Sequence, residues 1–381
     1  MPHPFGIYVH FPYCTVHCPY CDFAVATERA IPQERYTRAV LAELALRANA
    51  FEGLAARSLY LGGGTPSLWD PERVAEVVAA VRARFALPAD AEVTLEANPE
   101  AGDRGRFAAY AQAGVNRFSI GVQSFDPAVL TKLGRRHGPE DAERAVRTAA
   151  AVVENVAVDV IYGARRSTLG TARADGVKLA ALPVTHVSAY ALTLDREVLA
   201  EETPLARLLR QGRLPLPSDD EVVAQARALR GALRRAGLRR YEISNFARPG
   251  FESVHNRLYW ASESYLGLGV GAYGARHGPD REHAVRYGNA RAPSPYLEAV
   301  EGGRLPTAEE DRLGPRELAE ERLMLALRTR EGVPLALVAP SRRGEVEALR
   351  RGRLALARGD RLVLTSRGLD VHSAVVERLL A

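Results

Sequence analysis

Six short apolar runs, each followed by an amphipathic stretch of helical period, constrain this chain more than any other feature. The runs cover residues 6–11, 58–62, 92–97, 117–121, 156–162 and 186–193. They are rich in Val, Ile, Leu or Tyr and mostly give way to Gly, Pro, Asn or Gln. Helical patterns lie between and after them, at 33–48, 71–85, 103–113, 139–153, 169–181 and 221–236. Pro71 and Pro139 stand near helix starts, where a missing N–H does no harm. Regular alternation of β and α implies a parallel sheet covered by helices. Six units fall short of the eight that close a barrel, so the pattern predicts an open, partial (β/α)6 barrel of TIM-like type. Folds of this kind gather their functional residues at the C-terminal ends of the strands.

Composition changes near 301–307. Beyond it come helical patterns at 315–329 and 343–350, then two apolar runs flanking Arg358-Gly-Asp, a hairpin signal, and a last helix at 367–380. The expected organisation is a core at 1–240, a linking region at 241–300, and a small winged-helix-like domain at 301–381. Net charge is +5, the difference of 51 basic and 46 acidic residues, with no basic block. A nucleic-acid partner is therefore not expected. At 47% hydrophobic and 25% charged residues the chain is neither disordered nor fibrous. No stretch approaches the roughly 20 apolar residues of a membrane span. The first residues lack the basic and apolar regions of a secretory leader, so the expected compartment is the cytoplasm.

Three cysteines, Cys14, Cys18 and Cys21, lie within eight residues directly after the first strand. An odd, clustered set is a poor disulfide framework and points to a metal centre. A zinc site would need a fourth ligand, His17 or His10. A [4Fe–4S] cluster on three thiolates would leave one iron open to an exogenous ligand.

C-x3-C-x2-C at this position resembles the signature of the radical S-adenosylmethionine (SAM) superfamily, in which SAM binds the open iron. The run Gly62-Gly-Gly-Thr-Pro-Ser67 after the second strand resembles that superfamily's glycine motif, and implies contacts to the SAM amino group from Gly63, Gly64 and Thr65. Glu96 on the third strand, Gln123 closing the fourth and Asp159 inside the fifth set one polar group on each of three successive strands. A buried carboxylate in an apolar strand is costly unless it is paired or faces a polar cavity.

The segments Tyr8-Val-His-Phe-Pro-Tyr-Cys14, Cys18-Pro-Tyr-Cys-Asp-Phe23, Glu96-Ala-Asn-Pro, Gly121-Val-Gln-Ser-Phe and Leu133-Gly-Arg are similar to one group within the superfamily. It comprises relatives of oxygen-independent coproporphyrinogen III dehydrogenase. Tyr241-Glu-Ile-Ser-Asn-Phe-Ala and His255-Asn-Arg-Leu-Tyr-Trp260 resemble its heme-chaperone (HemW) branch. The resemblance implies a fold of radical SAM type, a [4Fe–4S] cluster on Cys14, Cys18 and Cys21, and SAM contacts from Tyr8, Tyr20, Gly63, Gly64, Thr65, Glu96, Gln123, Arg135, Asp159 and Ala191. It further implies heme as ligand, apo-hemoproteins as recipients, and no intrinsic membrane anchor. Peripheral membrane association and homodimerisation stay open.

The alternative is the dehydrogenase itself, which decarboxylates coproporphyrinogen III through a deoxyadenosyl radical. Its C-x-C cysteine is replaced here by Asp22-Phe23, and its long extension before the first strand is missing, since Tyr8 is close to the start. Both departures favour the chaperone. Where the family usually has Leu-Pro-Gly-Gln, this chain reads Ala164-Arg-Arg-Ser167. In His255-Asn256-x-x-Tyr259-Trp260, the imidazole suits an axial iron ligand and the aromatics suit a porphyrin face. The other reading is a packed corner in which His255 satisfies a local hydrogen bond. The resemblance favours heme.

Overall fold

The computed structural model describes residues 2–100, 106–194, 199 and 201–380. The six expected βα units are present. They run β1 (Pro4–Phe11), α1 (Gln33–Arg47), β2 (Ala55–Gly63), α2 (Pro71–Phe85), β3 (Glu92–Ala97) and α3 (Phe107–Gln112). Next come β4 (Arg117–Gln123), α4 (Pro127–Lys132), α5 (Pro139–Ala150), β5 (Asn155–Tyr162), α6 (Leu169–Ala181) and β6 (His186–Ala191). The helix expected at 103–113 begins in residues 103–105, which lie outside the described residues. After β6 the chain forms α7 (Pro204–Arg210) and α8 (Asp219–Arg235). Local chemistry sets these starts. Asp126 accepts hydrogen bonds from the N–H groups of Ala128 and Val129 at the head of α4. Ser218 and Glu221 form a reciprocal box at the head of α8.

Strands β1 to β6 are parallel and adjacent in sequence order. Alternation along them separates two faces. Ile7, Val9, Leu59, Leu61, Val93, Leu95, Phe118, Ile120, Val156 and Val158 point into the main apolar core beneath the helices. The other face carries Tyr8, His10, Tyr60, Thr94, Glu96, Arg117, Ser119, Asp159, Ser188 and Tyr190. It is a polar interior.

The segment expected to link two domains instead extends the sheet at both ends. Together with the residues that flank it, it forms β7 (Arg239–Arg240), β8 (Asn245–Ala247), α9 (Val254–Trp260), β9 (Ser264–Gly269), β10 (Tyr273–His277), β11 (Ala284–Asn289), α10 (Pro293–Glu301) and β12 (Thr307–Leu313). Strand β8 pairs antiparallel with β6, while β9 returns to pair parallel with the free edge of β1. Among the described residues the order is β12-β11-β10-β9-β1-β2-β3-β4-β5-β6-β8-β7, twelve strands in one sheet. Strand β12 belongs to this sheet although it lies beyond residue 301.

A second apolar core follows, built from α11 (Pro315–Leu327), β13 (Val333–Pro334), α12 (Arg343–Arg351), β14 (Ala355–Arg358), β15 (Arg361–Leu364), α13 (Ser366–Leu369) and α14 (His372–Leu380). The expected hairpin is β14–β15, turning at Gly359 with a positive φ. The last helix is broken in two at Asp370–Val371, leaving a short first turn, capped by Thr365, ahead of α14. Asp370 ties this unit to the main one, accepting from Arg230 at 2.7 Å and Arg240 at 3.1 Å. Among the described residues no helix is long and apolar enough to cross a membrane.

One buried anion joins α1 to the added strands. Glu43 is fully buried and accepts four hydrogen bonds: from Arg47 Nε at 2.7 Å, Gly269 N and Asn289 Nδ2 at 2.8 Å, and Tyr296 OH at 2.9 Å. Arg47 stacks 3.7 Å over the Tyr287 ring. Removing one partner of a buried ion pair leaves the other charge uncompensated. Glu43→Ala is therefore expected to cost about 3–5 kcal/mol, read from the shift of the urea midpoint.

Candidate functional site

A cavity of about 480 Å³ opens at the C-terminal ends of β1 to β6. The cysteine loop after β1 supplies Cys14, Cys18 and Cys21 to its wall, with Tyr20. Donors reach the sulfurs: Thr65 Oγ1 lies 3.4 Å from Cys14 Sγ and Arg135 Nη1 lies 3.5 Å from Cys18 Sγ. Burial pushes the Cys14 thiol up to about 11 and the Cys21 thiol to about 12, so metal loading must release protons.

Among the described residues, no three His, Cys, Asp or Glu side chains converge on a single ion. A zinc centre requires such convergence. Both histidines proposed for it are engaged: His17 Nε2 with Cys21 O at 2.9 Å, His10 with Ala24 O and Tyr8 OH. Three thiols around one cavity, each free to meet a different iron, fit a cluster with an open corner.

The glycine run forms the next wall. Gly63 has φ 111° and its N–H donates to Glu96 Oε2 at 3.0 Å. A Cβ on Gly64 would sit 2.8 Å from the Pro12 carbonyl carbon. The glycines are therefore required by the turn and by close backbone packing. Asn98 Nδ2 donates to Thr65 Oγ1 at 3.0 Å, and Arg135 spans from Asn98 to Gly121 O. Gln123 ends β4 with φ 66°, in a region that non-glycine residues rarely occupy, where the β4–β5 register shifts. Strain at this strand end aims the residue into the cavity mouth.

Deeper in, two carboxylates face each other across the polar interior. Glu96 accepts from Tyr60 OH at 2.8 Å. Asp159 accepts from Ser119 Oγ at 3.2 Å. Burial, then the nearby Asp159, raises Glu96 to about 7. Burial also raises Asp159. Arg117, 2% exposed, supplies the opposing charge.

Of the expected SAM-contacting residues, Tyr20, Gly63, Gly64, Thr65, Glu96, Gln123, Arg135, Asp159 and Ala191 all line this cavity. Tyr8 does not. Its hydroxyl bonds His10 Nδ1 at 3.0 Å and its ring lines a second cavity on the other side. The loop 164–167 also stands away from the cavity wall. It packs on α8, where Gln225 Oε1 accepts from Gly163 N and Gln225 Nε2 donates to Ser167 O.

Sequence reasoning missed Tyr60, Asn98, Arg117, Ser119, Ser188, Tyr190 and Asn256, which share the wall. Most of these were detectable as polar residues two apart on strands whose alternate residues are apolar.

His255 is not placed as an open ligand. It is 1% exposed, with Nδ1 2.9 Å from Ser58 Oγ and Nε2 2.8 Å from Tyr259 OH. A Cβ on Gly6 would stand 3.0 Å from its ring, and Tyr60 and Tyr259 pack around it. No space remains for a porphyrin at either nitrogen. Burial lowers its pKa to about 3, so it is neutral. Glu92 accepts from the backbone N–H groups of Val254 and His255 and fixes the start of α9.

Two outcomes follow from these contacts. Glu96 is raised above its ordinary 4.5, so its ionisation opposes the fold. Stability of the unloaded protein should fall as pH rises from about 4.5 through about 7. Glu96→Gln should flatten that slope in thermal melts recorded across this range. His255→Ala strands Ser58 and Tyr259 and is expected to cost about 1–3 kcal/mol in chemical denaturation.

Comparison with known proteins adds the following. The model of the Radical SAM superfamily matches residues 8–172. The chain is 40% identical over 385 residues to the heme chaperone HemW of Mycobacterium tuberculosis, covering 99% of this chain and 95% of that protein. It is 39% identical over 336 residues to the mitochondrial radical S-adenosyl methionine domain-containing protein 1 of Mus musculus, covering 86% and 74%. Coproporphyrinogen III oxidase (HemN) of Escherichia coli, a radical SAM enzyme, superposes with a TM-score of 0.81 at 20% identity, covering 99% and 90%. That likeness shows the fold.

Proposed function

The chain belongs to the HemW family of the radical SAM superfamily, and from that premise we propose that it is a cytoplasmic heme chaperone, which binds heme and passes it to apo-hemoproteins. The observation that carries this reading is similarity to a curated heme chaperone along essentially the whole chain. Phe23, in the position of the dehydrogenase's C-x-C cysteine, supports it from the site itself.

Cys14, Cys18 and Cys21 would hold a [4Fe–4S] cluster, with SAM in the cavity lined by Gly63, Gly64, Thr65, Glu96, Gln123, Arg135 and Asp159. Bound there, the pair would supply one-electron chemistry at SAM. The chain's own residues set the conditions. Arg135 and Thr65 donate toward the sulfurs and offset thiolate charge. The buried Glu96–Asp159 pair, balanced by Arg117, favours a cationic ligand. Tyr60 and Gly63 orient the Glu96 carboxylate by donating to its two oxygens.

The test is anaerobic incubation of cluster-reconstituted protein with coproporphyrinogen III, SAM and reductant, followed by pigment chromatography. No protoporphyrinogen is expected. The same preparation should take up hemin with saturation and yield it to an apo-cytochrome in a spectroscopic transfer assay. Product formation without hemin uptake would establish dehydrogenase activity in its place.

A further inference from the structure

A third cavity, of about 290 Å³, lies where the main sheet unit meets the second apolar core. That volume stands at the lower end of the range for small-molecule sites. Helix α9 supplies Arg257 and Trp260, α11 supplies Arg322, and β15 supplies Arg361. Pro334 of β13 and Leu337 after it add apolar surface to that of Trp260. Tyr241 also lines it. Tyr241 and Trp260 come from two motifs that stand out in the sequence, and neither reaches the cysteine cavity.

The three arginines differ from those around them. Arg281 pairs with Glu263 and Arg286 with Glu321, while Arg328 meets Glu242 at 3.0 Å and Arg330 meets Glu252 at 2.9 Å. Among the described residues, Arg257, Arg322 and Arg361 have no carboxylate partner. Arg322 donates to the Arg281 carbonyl. Arg361 spends Nε and Nη2 on the carbonyls of Glu331 at 2.8 Å and Gly332 at 2.5 Å, which leaves Nη1 without a protein acceptor. A carbonyl orients a guanidinium but does not neutralise it, and the fork carries five N–H donors in all. Burial and then the neighbouring Arg281 lower the pKa of Arg322, the direction expected where cations crowd together. Glu331 is the one carboxylate on the wall among the described residues, and Arg330 already engages it at 3.3 Å. The wall therefore carries an excess of positive charge.

We propose that this cavity binds a small organic oxyanion, a carboxylate or a phosphate ester, with its anionic group on Arg257, Arg322 and Arg361 and its apolar body against Trp260, Pro334 and Leu337. Guanidinium forks match the geometry of both anionic groups. Helix α9 belongs to the main unit, whereas α11 and β15 belong to the second core. An occupant held by all three elements would bridge the seam and stabilise the folded chain by mass action. The proposal does not rest on the heme-chaperone reading.

Isothermal titration of the full-length, cluster-reconstituted protein with phenyl phosphate and with phthalate tests this. Saturable binding of at least one probe is expected, with a higher thermal midpoint when it is bound. Tighter binding of phenyl phosphate would assign the site to phosphate esters, and tighter binding of phthalate to carboxylates. Arg257→Gln and Arg361→Gln should each weaken binding about tenfold. Arg257 makes no side-chain hydrogen bond to the protein among the described residues, so its variant keeps the test open if Arg361→Gln folds poorly. Arg350→Gln removes the same charge from α12, outside the cavity, and should leave binding unchanged. Absence of saturable binding for both probes would overturn the site. So would wild-type affinity in Arg257→Gln and Arg361→Gln, or an equal loss in Arg350→Gln.

Discussion

Buried polarity on the inner face of six parallel strands is the constraint on which the rest of this structure depends. The outer face of each strand packs an ordinary aliphatic core under the helices. The inner face carries Glu96, Arg117, Asp159 and a series of hydroxyls that a dry interior would not tolerate. A small closed barrel fills its interior with apolar side chains. This one keeps a cavity, and its charges answer one another: Arg117 lies among Glu92, Glu96 and Asp159, while Tyr60, Ser119 and Gly63 donate to the carboxylates. The same polarity is what a charged cofactor such as SAM requires.

The open edge of that sheet is resolved by the chain that follows. Strand β9 pairs with β1 and carries three more strands with it, so the edge is covered. The extension doubles the interior, giving one cavity at the cysteine loop and another over β9 to β11. Asp22 and Phe23, just after Cys21, line both. Helix α9 lies against β1, β2 and β9, and its motif is shared between the two spaces. Glu43 locks the arrangement from outside by bonding α1 to β9, β11 and α10 at once.

Much of this was legible in the chain. The six βα units, most of their boundaries and the β14–β15 hairpin follow from period and turn residues. Nine of the ten expected SAM-contacting positions line one cavity because strand C-termini in a parallel sheet necessarily share an end. Other parts were not legible. Strands β9 to β11 are interrupted by glycine and β12 is mostly charged, and β9 finds its partner more than 250 residues earlier in the chain, so no local signal marks it. Tyr8 shares a strand face with His10, yet the extension past β1 turns that face toward the second cavity. His255 sits in a motif that suggests a ligand, and only packing shows Ser58 and Tyr259 at its two nitrogens.

Sequence alone determined the class of fold, the cysteine centre and the family, since these rest on local period, on spacing within eight residues, and on similarity along the chain. Tertiary structure alone decided that His255 is engaged at both ring nitrogens, and that one cavity opens at the cysteine loop and another over β9 to β11. Hydrogen-bond satisfaction of a buried imidazole depends on neighbours that are remote in sequence: Ser58 comes 197 residues before His255, and the walls of the second cavity come from β1, α9, β9 to β11 and α11. No local pattern encodes contacts of that range.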